Sequence, residues 1–362
     1  MDKQRYNQEV ILHLLRIGLG AEDFIPDVTD WDAVYDLAMQ QCVLPFVFDG
    51  YIKKFDAGED IPQMTAPMKK KWIGASYFVE SGVAAQEKAS TEMALLFADN
   101  HIRTYVLKGQ IVAECYPIPQ HRRSVDMDCF LVPADGRDFD AWERGNVLME
   151  KRGVRVSRGF YKNSTLSLPG LTVENHIYLT PFRGNRRLKE LEVLLQTLIR
   201  SDTGKDKMEG SELYRPPVMA SALFLVEHAF SHFLHEGLNL RHITDWMMFS
   251  RYHHDDIDWT RFSGYIDEFG FRRFFDAYVH VGEYILGERT YSALCPEEQR
   301  MMDSVWAGLD LHDTVKGFRG KLNLVGNTLR ASWKYHYFAP ISMFHALWIQ
   351  VKGFLFIRHP KL

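Results

Sequence analysis

Arg122-Arg123-Ser124-Val125-Asp126-Met127-Asp128-Cys129-Phe130-Leu131-Val132 is the stretch on which the fold of this chain turns. Met127 to Val132 reads as an apolar strand stopped by Pro133. Side chains alternate along a strand, so Asp126 and Asp128 project from one face at its start. Two like charges held that close repel and are costly to bury. A divalent cation removes the cost, and Mg²⁺ takes oxygen ligands while leaving room for phosphates. The plainer alternative is an exposed strand mouth, with each aspartate paired to an arginine such as Arg122 or Arg123.

Working outward, Arg103 to Leu107 is a short β-branched and aromatic run, followed by Lys108-Gly109 and a helical stretch through Cys115. Downstream, 137–152 reads as a helix that Gly153 closes. Val154 to Arg158, Thr165 to Leu168 and Leu171 to Leu179 supply further strands. Strand, helix, strand, helix and a meander describe a small mixed-sheet unit over residues 101–200.

On either side the period is helical. In residues 1–100, Val10, Leu12, Leu14 and Leu15 form one stripe and Trp31, Val34, Tyr35 and Leu37 another, with Asp30 as an N-cap. Met64 to Asn100 gives one long helix, and nothing chemical stands out in this helical cap or arm. Ser201 to Gly210 (SDTGKDKMEG) reads as a mobile connector. In residues 211–362, Val218 to Leu234 opens after Pro216-Pro217. Helices are expected around 240–251, 259–268, 271–286, 296–309 and 341–357. The expected fold is α+β, a small mixed-sheet core between N-terminal and C-terminal helical regions.

Composition narrows the function. Hydrophobic residues make up 46% and charged residues 25%, which is ordinary globular composition, and a formal charge of −4 gives no electrostatic reason for a nucleic-acid partner. Cys42, Cys115, Cys129 and Cys295 are scattered, so neither a zinc ribbon nor a disulfide framework is expected. Reduced thiols fit a cytoplasmic protein. The N-terminal run has no small-residue cleavage site, so no secretory leader is expected. His345, Gln350 and Lys352 interrupt the apolar stretch Ile341 to Ile357, which reads as a packed helix and not a membrane span.

The run from Leu107 to Val132 resembles the signature of the uncharacterised nucleotidyltransferase-like family, within the DNA polymerase β-type nucleotidyltransferase superfamily. The matching pieces are Leu107-Lys108-Gly109, the Tyr-x-x-Pro element Tyr116 to Pro119, Arg122 four residues before the first aspartate, and Asp126 to Val132. Val173-Glu174-Asn175-His176 is similar to the family's Glu-x-His strand. Arg241 to Asp245 with Ile257-Asp258-Trp259 resembles its C-terminal helical element. The resemblance implies Mg²⁺ (or Mn²⁺) held by Asp126, Asp128 and Glu174, an NTP as substrate, and transfer of its nucleotidyl group to an unidentified acceptor hydroxyl. The acceptor is a small molecule, a sugar or a protein. It also implies that Lys108 and Arg122 meet triphosphate oxygens, that Gly109 lets the backbone approach them, and that His176 contacts a phosphate or the acceptor, or hydrogen-bonds Glu174.

Three departures stand out. Lys108-Gly109-Gln110 lacks the serine hydroxyl usual at the phosphate turn, Val125 replaces a small residue, and Glu174 replaces the more frequent aspartate. They keep open a binding or regulatory module that retains the fold without catalysis. A third reading starts from His228, His232 and His235, at i, i+4 and i+7 on one helix, with Glu227 or Asp245 nearby. That spacing suits a transition metal and a phosphohydrolase, or simply packing. His253-His254-Asp255-Asp256 reads as a polar loop with a helix N-cap.

Overall fold

The computed structural model describes residues 3–28, 30–134, 140–158, 161–182, 185–308 and 331–339. The first four helices are α1 (Lys3–Gly18), α2 (Trp31–Gln40), α3 (Leu44–Asp56) and α4 (Ala66–Ala98). Asp30 and Thr65 cap α2 and α4 by accepting from Ala33 N and Met68 N. α1 and α3 touch backbone to backbone. A Cβ on Gly18 would stand 1.9 Å from Phe46 O, and one on Gly50 2.0 Å from Leu14 O, so only glycine fits at either point.

The chain then alternates: β1 (Ile102–Val106), α5 (Gln110–Ala113), β2 (Asp126–Pro133), α6 (Ala141–Lys151), β3 (Arg155–Ser157), β4 (Asn163–Leu168), β5 (Leu171–His176), α7 (Arg186–Ser201) and β6 (Leu213–Tyr214). The six strands form one mixed sheet in the order β3-β4-β5-β2-β1-β6. β2 runs antiparallel to β1 and parallel to β5. It is therefore central, and its apolar side chains are buried throughout.

The alternation of β2 sorts the layers. On one face Leu131 meets α6 so closely that a Cβ on Gly145 would lie 2.3 Å from its Cδ1, and Phe97 of α4 adjoins the same spot. On the other face the Arg200 guanidinium of α7 lies 5.0 Å over the Phe130 ring. Tyr105 on this face donates to Asp202 Oδ2 at 2.7 Å, just past the end of α7. Asp126 and Asp128 share this second face.

The remaining helices are α8 (Val218–His235), α9 (Leu240–Tyr252), α10 (Trp259–Glu268), α11 (Arg272–Ile285) and α12 (Pro296–Ala307), followed by a short one at Ser332–Phe338. Phe224 of α8 packs edge-on to His176 at 6.4 Å, so α8 covers the carboxylate face beside α7. The expected α+β architecture is what the chain adopts. Three helices, α3, α7 and the one at Ser332–Phe338, and the edge strand β6 are additional to the expected elements, and the expected strand Leu171 to Leu179 ends at His176. The expected helix at 341–357 lies outside the described residues.

Candidate functional site

The β2–β5 register builds the site. Asp128 stands directly opposite Glu174, and Phe130 opposite His176. In a parallel pair such partners share a face, so the D-x-D of one strand and the E-x-H of the other converge below α8. One ligand atom each of Asp128, Glu174 and His176 lies within 4.8 Å of the others, and no other metal-ligating trio converges this way among the described residues. Asp128 is 1% exposed, whereas the Asp126 side chain keeps 35% of its surface at the mouth.

Charge is balanced locally. Lys108 Nζ lies 3.1 Å from Asp128 Oδ2 and 4.0 Å from Asp126 Oδ1. His176 Nε2 lies 2.9 Å from Asp128 Oδ1 and 3.5 Å from Glu174 Oε2, while Nδ1 faces the Tyr178 carbonyl at 3.0 Å. Burial opposes the charge on both members of the His176–Asp128 pair. The surrounding partners overcome it, with Lys108 and His176 holding the Asp128 carboxyl far below the usual range and Asp128 and Glu174 raising the imidazole. Burial pushes Asp126 the other way, upward, against Lys108 and with help from Asp128 and Glu174.

One atom stands out. Asp128 Oδ2 is buried, accepts no directed hydrogen bond, and has the Lys108 ammonium as its neighbour. An ionised buried oxygen in that state fits a hard cation, which binds oxygen without the directional demand of a hydrogen-bond donor. Asp128, Glu174 and His176 bring the converging ligand atoms, Asp126 lies at the mouth beside Lys108, and His176 Nε2 holds Asp128 Oδ1 from behind.

Arg122 is placed differently from the expectation. Its Nε and Nη2 donate to Asp245 Oδ1 and Oδ2 at 3.0 and 2.6 Å, and its Nη1 donates to Ser124 Oγ at 2.5 Å. The guanidinium is buried and its fork is closed on a carboxylate, so it does not face a triphosphate. Tyr116 donates to the same Asp245 at 2.8 Å and contacts Thr244 at 2.9 Å. The Tyr-x-x-Pro element, Arg122 and the Arg241-to-Asp245 element are thus one network that anchors the approach to β2 on α9.

Gly109 caps α5 at φ 73°, where a Cβ would lie 3.2 Å from Ser124 Oγ. Gln110, at the position of the missing serine, donates to Ser90 Oγ of α4 at 2.9 Å. Ser124 instead brings a hydroxyl to the turn from the far side, a residue the sequence pattern does not mark.

The histidine row on α8 does not assemble a metal set with Asp245, whose oxygens are committed to Arg122 and Tyr116. His235 Nδ1 donates to Ser231 O at 2.8 Å, and His232 Nδ1 lies 2.8 Å from Glu236 Oε2. His228 packs 4.4 Å from the His232 ring, held neutral by burial and then by the charge of Lys108. Glu227 forms no ion pair with this row among the described residues. It is buried with an unpartnered Oε2, and burial raises its carboxyl to about 7. His253 pairs with Asp256 at 2.9 Å, as a polar loop would.

Among the described residues no helix is long and apolar enough to cross a membrane. Residues 27–287, more than two thirds of the chain, match the model of a family described as uncharacterised nucleotidyltransferase. No curated protein and no solved structure matches the chain.

Proposed function

The chain belongs to the uncharacterised nucleotidyltransferase family, and from that premise we propose that it moves a nucleotidyl group from a metal-bound NTP to an acceptor hydroxyl. The observation that carries the reading is the register pair Asp128–Glu174, with Asp126 beside it and a buried carboxylate oxygen that no donor satisfies. Asp126, Asp128 and Glu174 are the residues to hold Mg²⁺ or Mn²⁺. When bound, the ion supplies charge neutralisation at the phosphate oxygens and at the attacking and leaving oxygens.

The chain's own groups have distinct tasks in this reading. His176 keeps Asp128 ionised and aimed, since its other nitrogen is fixed on the Tyr178 carbonyl. Lys108 shields the carboxylates from one another and is free to turn to a phosphate oxygen once that shielding is no longer required. Gly109 keeps the turn clear of a Cβ. The acceptor oxygen forms its bond to the α-phosphorus, its proton passes to a carboxylate of the site, and the bond to pyrophosphate breaks.

Calorimetric titration with ATP, GTP, CTP and UTP, with and without Mg²⁺, tests this. Binding that requires Mg²⁺ and disappears in Asp126→Ala/Asp128→Ala is expected. A folded wild-type protein that binds none of the four would remove the transfer reading and leave a partner-binding module that retains the fold.

A further inference from the structure

α4 carries an apolar face that stays uncovered among the described residues. Its Ile73, Tyr77 and Phe78 keep 54%, 68% and 73% of their surface exposed, side by side on one helix. Residues three and four apart share a helix face, so Tyr77, Phe78, Ser81, Ala84 and Ala85 continue one outward strip, and all five are exposed. The β4–β5 turn borders the strip at Ala85, where a Cβ on Gly170 would lie 3.6 Å away, without covering it. Gly74 and Gly82 adjoin the strip, and a Cβ on either would meet nothing within 4 Å. The chain's own packing therefore does not call for glycine there, although glycine weakens a helix interior.

The strip is complementary to itself about Ser81. Phe78 and Ala84 each stand three residues from Ser81, Tyr77 and Ala85 four, Lys70 and Glu92 eleven, and Pro67 and Leu95 fourteen. Two copies of α4 laid antiparallel, with a two-fold axis at Ser81, therefore set each aromatic ring on an alanine of the other copy and each Leu95 on a Pro67. The same axis sets each Lys70 against a Glu92. A parallel pairing would put ring on ring and like charge on like charge. The charges at the ends of the strip are available for this. Lys69 Nζ lies 3.7 Å over the Phe55 ring and Lys71 Nζ lies 3.1 Å from Asp32 Oδ1, whereas Lys70 between them, and Glu92, have no partner among the described residues.

We propose that this face of α4 is the interface of a two-fold homodimer, in which the two copies of the helix pair antiparallel across Ser81. The occupant is a second copy because one patch supplies both the large side chains and the small ones that receive them, and both signs of charge at matching distances from one point. The interface is independent of the transfer reading. Phe97 of the same helix adjoins Leu131 on the face of β2 opposite the carboxylates, so the pairing leaves the mouth at Asp126 open.

Sedimentation velocity of the full chain from about 1 to about 100 µM tests this, with circular dichroism of each variant as the check on folding. The wild-type sedimenting mass should rise over that range toward twice the chain mass. Phe78→Glu, at an exposed position, should keep the fold and weaken association at least tenfold, roughly, because the two-fold axis counts the change twice. Lys70→Glu should weaken it about fivefold, and Lys70→Glu/Glu92→Lys should recover to within about twofold of wild type, since the swap restores opposite charges only in the antiparallel pairing. Ser81→Cys in a Cys295→Ser background should form a disulfide between copies on mild oxidation. A wild type that stays monomeric throughout overturns the proposal, and if it then floats with phosphatidylcholine vesicles the face belongs to a lipid surface. A dimer that folded Phe78→Glu leaves unchanged, or a charge swap no better than Lys70→Glu alone, overturns it too.

Discussion

At the scale of single residues, Arg122 shows how chemistry and identity part company. As a sequence feature it stands four residues before Asp126 and resembles a phosphate ligand. In the fold its guanidinium is buried and bidentate on Asp245, 123 residues away. The two roles predict different measurements. A phosphate ligand changed to lysine keeps the fold and loses nucleotide affinity. A buried fork changed to lysine loses one of its parallel hydrogen bonds and its planar fit, so stability falls while the surviving folded molecules bind nucleotide normally. We expect the second pattern for Arg122→Lys. Asp245→Ala, which strands the guanidinium, should cost about 3–5 kcal/mol in urea unfolding. A stable Arg122→Lys protein with weakened Mg²⁺-dependent ATP binding would return the arginine to the phosphate. Asp126, Asp128 and Glu174 were legible because strand alternation places a D-x-D on one face and the resemblance supplied the third acid. Ser124 was not, because nothing in the sequence pattern shows that its hydroxyl reaches the Gly109 turn until Arg122 and Gly109 are laid beside it.

At the scale of elements, the register of β2 against β5 carries the site, since a slip of one residue would turn Asp128 and Glu174 to opposite faces. What holds β2 in place precedes it. A 3₁₀ turn at Pro119–His121 sits just upstream, and His121 is clamped between Asp49 of α3 at 2.7 Å and Glu80 of α4 at 2.9 Å. Burial works against charge on this imidazole, but Asp49 and then Glu80 outweigh it and raise it above its usual value. A raised pKa in the folded state means that the native protein binds more protons than the unfolded chain. The clamp's stabilisation is therefore full below about pH 6.5, the unfolded value, and is lost as pH rises through the higher folded one. The difference in unfolding free energy between wild type and His121→Gln should narrow as pH rises above about 6.5, read from urea midpoints. A gap that widens over that range would mean that the pair is held by something other than charge. Elements were legible to the extent that their periodicity was clean. α10 and α8 declare themselves, one by its Asp258 cap and the other by its prolines. α3 hides because Leu44 to Phe48 is a continuous apolar run, which periodicity alone cannot assign to helix or strand. α7 repeats at helical spacing through Leu188, Leu191, Leu195 and Ile199, but it follows a run of strands that reads on as a meander.

At the scale of the molecule, the N-terminal helices are more than an arm, because polar groups on them complete helices some 250 residues away. Arg16 of α1 is nearly buried and donates from Nε to Ile285 O at 2.8 Å and from Nη2 to Tyr284 O at 2.9 Å. These are carbonyls of the last turn of α11: Tyr284 O also accepts from Gly287 N at 3.1 Å, Ile285 O lies beyond the reach of the helix's own amides, and a cation there suits the helix dipole. Gln41, fully buried, donates to Val305 O of α12 and accepts from Leu240 N at the start of α9. One continuous apolar cluster runs from Val10 to Phe338 through the sheet. If these ties act as the geometry says, the N-terminal helices and α9, α11 and α12 unfold together with the core between them. Arg16→Ala strands the Ile285 carbonyl in a site closed to water and leaves Tyr284 O with Gly287 N alone, which should cost about 1–3 kcal/mol. Because the loss is shared, it should appear as a single urea transition moved to lower midpoint, followed equally by far-ultraviolet circular dichroism and by tryptophan fluorescence. Lysine at this position has one ammonium where two separated donors are needed, so Arg16→Lys should recover less than half of the loss. Mg²⁺-dependent ATP binding by the folded variant should be unchanged, because Arg16 contacts none of the carboxylates on β2 and β5. Two separated transitions in Arg16→Ala, with the larger keeping the wild-type midpoint, would instead mean that the N-terminal helices fold on their own and lend the site no stability.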